Sequence, residues 1–361
     1  MLIVQIVPKL PPAIDGLGDY ALNLARRLRS DFGIDTHFLV GDPSWKGKEK
    51  IEEFNVTQIS QRNAASFLSS LPQNTDKIIL HYVGYGYAKR GCPFWLIKGL
   101  EEWRRQSQKK FIVTMFHEVY AAGRPFWTSA FWLFPLQKNL ASRLVKLCDR
   151  ALTSKESYAD ILANLSQRSR SEILSVPVFS NIGEPTQIPL LCDRQPNLVV
   201  FGSRSNRLRV YQQSTVQLTN ACQKLEIQAI WDIGPPTGLN LSSINNVPIV
   251  PMGIQGDRQI SQMLLNSRAG FFDYPTAFLA KSGVFAAYCA HGILPVSSRS
   301  SVLPVDGIES GKHYWVPGIK LKSLKHLTEI QAIANNAYAW YQTHNLSIQA
   351  KIFSDYLPSL K

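Results

Sequence analysis

LIVQIVPKLPPAIDGLGDYALNLARRL, residues Leu2 to Leu28, passes from an almost wholly apolar run, through a turn rich in proline and glycine, into a stretch with apolar residues at helical spacing. The run Leu2 to Val7 suits a strand covered on both faces, as parallel strands are. Tyr20, Ala21, Leu24, Ala25 and Leu28 then recur every three or four positions, so the helix predicted over Tyr20 to Arg29 turns one side to a core. Strand, turn and helix make the first half of a βαβ unit.

The same alternation runs along most of the chain. Strands are predicted at Thr36 to Val40, Lys77 to Tyr82, Phe111 to Met115 and Ala151 to Thr153, with a helix at Phe94 to Gln106. After an interval they resume at Leu198 to Phe201, Ala229 to Ile233, Val247 to Val250, Ala269 to Phe272 and Leu294 to Val296. Apolar, β-branched runs separated by helical stretches are the pattern of parallel sheets with crossover helices. A chain of 361 residues exceeds what one core usually supports, so two α/β domains are predicted. The interval Pro177 to Pro196, with Asn181, Gly183 and further prolines, can continue neither a helix nor a central strand and reads as the linker. The domains are accordingly set at 1–180 and 181–345. The final stretch, Ser323 to Tyr356, reads as helical and aromatic. Its last helix, 346–361, either packs on its own domain or crosses back to complete the first.

Composition narrows the function classes. Hydrophobic residues make up 45% and charged residues 18% of the chain, as in ordinary globular proteins. The five cysteines are scattered and form no CxxC pair, which argues against a disulfide framework or a zinc site and fits a reducing cytoplasm. The amino-terminal apolar run is too short for a secretory leader and lacks its basic flank. A formal net charge of +13 attracts polyanions: phosphorylated small molecules, anionic lipid or nucleic acid. With no zinc-finger spacing, aromatic RNA-binding motif or Lys/Arg block, nucleic acid ranks last and is not expected as a partner.

Four segments could carry chemistry. Gly16, Gly18 and Ala21 formally satisfy the GxGxxG/A fingerprint, but Pro8 to Asp15 separate them from the strand, where a dinucleotide turn would follow at once. A longer glycine loop at a helix start can still bring N–H groups to a sugar or phosphate, with Asp19 in the first turn. His117 and Glu118 follow the strand at Phe111, where ligands of open α/β sheets bind. Beyond them GRPFWTSAFWLF gathers Phe126, Trp127, Phe131, Trp132 and Phe134 between Arg124 and Lys138; this reads as core, or as a mobile aromatic and basic loop touching a membrane. In NLVVFGSRSNRLRVY, Arg204, Arg207 and Arg209 follow a glycine turn and suit a diphosphate, each guanidinium bonding two oxygens. Lys281, Ser282 and Gly283 open a helix that ends near Gly292, an arrangement that can hold an anion or simply cap the helix.

These segments, with LTSKESYADIL after Ala151, PVFSNIG at the linker and IWDIGPP from Ile230, resemble glycosyltransferase family 4. The resemblance spans nearly the whole chain and implies the GT-B architecture, two Rossmann-like domains facing across a cleft. It implies a retaining, metal-independent transfer of a sugar from a UDP- or GDP-sugar, a co-substrate, with no resident cofactor or metal. By that resemblance Arg204, with Arg207 or Arg209, neutralises the donor diphosphate, aided by Lys281, Ser282 and Gly283. Gly16, Gly18, Asp19, His117 and Glu118 face the sugar and acceptor, with His117, Asp19 and Arg204 in catalytic roles. The acceptor is a lipid-linked glycan, a polysaccharide or a small metabolite, and the location is cytoplasmic or peripheral to the inner membrane face. One departure stands out: the family's paired glutamates fall here on Leu279 and Ala287. That motivates a rival reading, a catalytically silent module that binds a glycan or a partner, and a nicotinamide-dependent oxidoreductase built on Gly16 and Gly18 ranks below both.

Overall fold

A computed structural model of the chain describes residues 1–121, 125–167, 173–318 and 327–358. It divides into two compact units, one of Met1–Pro177 with Leu346–Lys361, the other of Val178–Asn345.

The first unit contains β1 (Leu2–Val7), α1 (Gly16–Phe32), β2 (Asp35–Val40), β3 (Lys50–Ile51), β4 (Phe54–Gln58), α2 (Ala64–Ser70), β5 (Lys77–Tyr82), α3 (Gly84–Tyr87), α4 (Phe94–Arg105), β6 (Phe111–Phe116), α5 (Ser129–Leu147), β7 (Arg150–Thr153), α6 (Glu156–Leu165) and β8 (Leu174–Ser175). The strands form one sheet in the order β3-β4-β2-β1-β5-β6-β7-β8. All pair in parallel except β3 with β4. Chain order runs outward in both directions from β1 and β5, so the sheet's switch point lies between them, the place where open α/β sheets bind ligands. Leu80, Leu96, Leu100, Phe116 and Leu144 belong to the core on one side, and Leu22, Ala25, Phe38 and Val40 to a second cluster.

The second unit contains β9 (Gln195–Phe201), α7 (Arg204–Gln213), α8 (Thr215–Lys224), β10 (Ala229–Ile233), β11 (Ser243–Ile244), β12 (Val247–Gly253), α9 (Asp257–Asn266), β13 (Ser267–Phe272), α10 (Gly283–Ala290), β14 (Leu294–Ser297) and α11 (Leu327–Gln342). Its sheet runs β11-β12-β10-β9-β13-β14, again parallel apart from the short β11–β12 pair. The switch point here falls between β9 and β13. The chain ends in α12 (Leu346–Tyr356), which belongs to the first unit. There the Tyr20 hydroxyl of α1 donates to Gln349 Oε1 (2.6 Å), and Gln349 Nε2 donates to the Pro177 carbonyl (2.7 Å).

Several local expectations change. Pro196, taken from sequence as linker, is the second residue of β9; a strand tolerates proline near its start. The helical stretch from Ser323 is two helices broken at 343–345, and its first residues lie outside those described, as does Arg124. The aromatic segment after Arg124 is a helix from Ser129 onward: it opens α5 with Phe131 and Trp132 exposed and Phe134 half-buried against Tyr120. Gly18, expected at the sugar, packs closely on the chain itself. It is buried in the first turn of α1, where a Cβ would lie 2.4 Å from the Lys9 carbonyl oxygen. Alanine favours helices, so Gly18→Ala ought to stabilise; the backbone clash is expected to reverse this, destabilising by roughly 1–3 kcal/mol. A thermal melt in which Gly18→Ala matches or exceeds the parent would show that the approach of Lys9 is not tight.

Candidate functional site

In the first unit, His117 stands one residue past β6, its backbone N–H donating to the Tyr82 carbonyl at 3.0 Å. Its Nε2 lies 3.2 Å from Nδ1 of His81, a residue of β5 not singled out from sequence. His81 in turn has Nε2 2.9 Å from Gln5 Oε1 on β1, and Gln5 Nε2 donates to Thr36 Oγ1 on β2 (3.2 Å). A polar row thus crosses three adjacent strands, β2, β1 and β5, and ends just past a fourth, β6. His81 is fully buried, and desolvation pushes its pKa down to about 3, so the ring is neutral at ordinary pH. With Nε2–H donating to Gln5, Nδ1 is an acceptor, and His117 must supply the proton from its Nε2. The Tyr20 ring meets His117 edge-on at 5.0 Å. His81 therefore calls for a proton on Nε2 of His117 and helps to set that ring.

Past the ends of β1, β2 and β5 lies a crevice of about 500 Å³ lined by Lys9, Asp15, Asp42, Arg62, Tyr85 and Lys89, among others. Asp42 organises it. Burial would raise its pKa, but hydrogen bonds from Ser44 and Lys9 and the charge of Arg62 outweigh that and lower it. The carboxylate holds Lys9 at 3.4 Å and Arg62 at 3.2 Å. Asp15 caps α1, accepting from Leu17 N at 3.1 Å, and burial raises its pKa despite that bond. Gly16 and Asp19 occupy the first turn of α1 after this cap. Glu118 follows His117, and its backbone N–H points at the Tyr82 carbonyl (3.4 Å).

In the second unit the three arginines separate. They stand on α7, not on a loop. Arg204 takes the first helical position, exposed, with neither a hydrogen bond nor an ion pair among the described residues. Its Nη2 passes 3.4 Å from where a Cβ of Gly238 would be. Arg209 donates to Asn206 Oδ1 (2.7 Å) and lies 5.9 Å over the Tyr274 ring. Arg207, expected to meet a diphosphate, is 1% exposed and turned inward. Its guanidinium bonds Asp232 Oδ2 (2.5 Å), the Gly202 carbonyl (3.1 Å) and the Pro235 carbonyl. That corrects its role from an offered cation to an internal clamp, because every face of its fork already has an acceptor.

The turn before α7 rests on the start of α10: a Cβ on Gly202 would be 3.2 Å from Val284 Cγ2. Ser282 caps α10, its Oγ accepting from Phe285 N (3.2 Å), so its hydroxyl is committed to the helix. The backbone N–H groups of Gly283 and Val284 have no acceptor among the described residues, and the space a Cβ would fill at Gly283 is open. Free N–H groups at a helix start attract anions. Lys281 lies 5.9 Å over the Phe278 ring. A pocket of about 320 Å³ opens beyond Arg204, formed by Tyr211, Asp232, Gly234, Gly238, Leu241 and Pro251 among others. Gly234, at φ +141°, is obligatory there, since a Cβ would meet the Gly202 carbonyl oxygen at 2.4 Å. Leu279 and Ala287 are both buried. Asp273, at the end of β13, was also missed from sequence. Burial would raise its pKa, but hydrogen bonds from Arg299, Ser298 and Ser214 prevail and lower it.

No protein-family model and no curated protein matches the chain. Solved structures do. An alpha-glucosyltransferase in complex with UDP is similar at TM-score 0.61 and 11% identity, over 98% of this chain and 99% of that one. A trehalose-6-phosphate protein from E. coli bound with UDP-2-fluoro glucose is similar at 0.60 and 12%, over 100% of each. A lipopolysaccharide outer core galactosyltransferase in its apo form is similar at 0.57 and 13%, over 99% of each. A likeness this remote in sequence but nearly complete in length is one of architecture: the chain has the GT-B fold of glycosyltransferases.

Proposed function

We propose that the chain is a glycosyltransferase that takes a sugar from a UDP- or GDP-sugar, with retention at the anomeric carbon and without a bound metal. The observation that carries this reading is Arg204, a cation on the first position of a helix with no carboxylate partner among the described residues, on α7, whose preceding turn at Gly202 rests on Val284 at the open start of α10. A helix start disfavours positive charge, so a guanidinium held there makes sense as one half of a pair with an anion. A diphosphate bridging Arg204 and the α10 start would be neutralised as the sugar leaves, which is the main catalytic demand when charge builds on the departing oxygen. The neighbours support the donor class, since two of them are complexes with UDP or a UDP-sugar.

The pocket of about 320 Å³ beyond Arg204 is the proposed seat of the base and ribose, with backbone groups doing what carboxylates at 279 and 287 would otherwise do. The crevice of about 500 Å³ in the first unit is the proposed acceptor pocket, and His117, set by His81, bonds the transferred sugar or the acceptor hydroxyl. The second reading, a silent binding module, draws on Leu279 and Ala287. Calorimetric titration with UDP and GDP separates the two: the enzyme gives heat with one of them and slow hydrolysis of the matching nucleotide sugar, whereas silence with both nucleotides removes the transferase reading.

A further inference from the structure

Five large apolar side chains at the entry to α5 are exposed among the described residues. Phe126 is 64% exposed, Trp127 73% and Trp132 70%, with Phe131 and Leu136 also exposed. Soluble surfaces rarely gather so much apolar area in one place without a partner for it. The ridge is also built rather than loose. Thr128 caps α5, and both its N–H (3.0 Å) and its hydroxyl (2.7 Å) donate to the Pro125 carbonyl. The rings stack edge to face in pairs, Phe126 on Trp127 at 4.9 Å and Phe131 on Trp132 at 5.5 Å.

Geometry gives the ridge a single direction. At 3.6 residues per turn, Phe131, Pro135, Trp132 and Leu136 fall within about 140° of arc. Gln137, Leu140, Ala141, Leu144 and Val145 take the opposite side and are buried. Charge chooses the occupant. From Val119 to Cys148 the sequence has no Asp or Glu, and it carries Arg124, Lys138, Arg143 and Lys146, of which Arg143 is paired with Glu101 of α4. Lys138 and Lys146 are exposed on α5, and the whole chain has a net charge of +13. Tryptophan and phenylalanine on a segment that carries lysines and no carboxylate of its own match the boundary between acyl chains and anionic headgroups. No helix among the described residues is long and apolar enough to cross a membrane, so the contact is one of lying on the surface.

We propose that the aromatic ridge Phe126 to Leu136 docks the protein on an anionic lipid bilayer. The test uses the full chain with vesicles of phosphatidylcholine alone or mixed with phosphatidylglycerol, some carrying brominated acyl chains. Binding is expected to the mixed vesicles, with bromine quenching of tryptophan fluorescence, and to weaken several-fold as salt is raised. Trp127→Ser with Trp132→Ser should lower the affinity roughly tenfold to a hundredfold and remove most of the quenching. Both side chains are exposed, so the melting temperature should hold and nucleotide binding should be untouched, keeping this result separate from the catalytic reading. The proposal is overturned if the protein ignores mixed vesicles, or if the double variant binds and is quenched as the parent is. It is equally overturned if sedimentation velocity shows self-association that the double variant abolishes, since a second copy would then be the occupant.

Discussion

Arg204→Ala is expected to weaken binding of the cognate nucleoside diphosphate by roughly a hundredfold, and to lower hydrolysis of the nucleotide sugar by about 10²–10³ beyond that, with no loss of fold. The size follows from what is removed. A guanidinium facing a diphosphate makes two charge-assisted hydrogen bonds, each worth about 1.5–3 kcal/mol, and one tenfold step in affinity is about 1.4 kcal/mol. In the folded protein the side chain gives nothing back, being exposed and without a hydrogen bond or ion pair among the described residues. At the first position of α7 it opposes the helix dipole, so alanine should leave the melting temperature level or slightly raised. Arg204→Lys should fall between the two, keeping the charge but not the fork. Titration, hydrolysis and melting of the three proteins check this together. A variant that binds and turns over as the parent does would remove Arg204 from the donor site, and a sharp drop in melting temperature would mean that it holds the fold instead.

The lobes were legible in the sequence because parallel strands leave a strong mark: Leu2–Val7, Lys77–Tyr82 and Ala229–Ile233 are found as read. Edge elements left weaker marks. The β3–β4 hairpin turns on Glu52 and Glu53, both at positive φ (47° and 66°), where Asn-Gly would have announced the turn and two glutamates do not. Its counterpart β11–β12 turns on Asn245 and Asn246 (46° and 67°), a pair that does carry the signal. Helix α7 hid behind its arginines: its apolar residues define no clear stripe, and a run of cations after a glycine looks like a loop. In the site, position along a strand was enough to mark His117 but not His81, which sits inside β5 among residues that all read as core. What makes His81 matter is its 3.2 Å approach to a residue thirty-six positions away, and spacing in sequence does not contain that distance. Likewise, sequence can count three arginines near a turn, but only the carboxylate of Asp232 decides which of them turns inward.

Arg207→Ala is expected to be the most destabilising of these changes, by ~3–5 kcal/mol, with a melting temperature lower by on the order of 10 °C. The guanidinium joins the ends of two strands and the turn after one of them: Gly202 beyond β9, Asp232 within β10 and Pro235 in the turn. Truncation would leave the Asp232 carboxylate buried with, among the described residues, the Tyr211 hydroxyl alone, at 2.9 Å, to satisfy it. Two carbonyls would lose their donors as well. Lysine has one charged nitrogen and cannot reach three acceptors arranged for a planar fork, so Arg207→Lys should recover little. Neutralising the orphan should recover more. Arg207→Met combined with Asp232→Asn removes the unpaired charge while keeping an acceptor for Tyr211, and it is expected to melt well above Arg207→Ala, the non-additivity being the signature of a coupled pair. The same double variant separates a clamp from a ligand. Asp232 also lines the proposed base pocket, so the probe is inorganic pyrophosphate: if Arg207 acts only by holding the turn, the folded double variant should bind it within several-fold of the parent, because Arg204 and the α10 N–H groups are still in place. A loss as large as that of Arg204→Ala, in a protein that melts normally, would return Arg207 to the diphosphate, and an unshifted melting temperature in Arg207→Ala would refute the clamp.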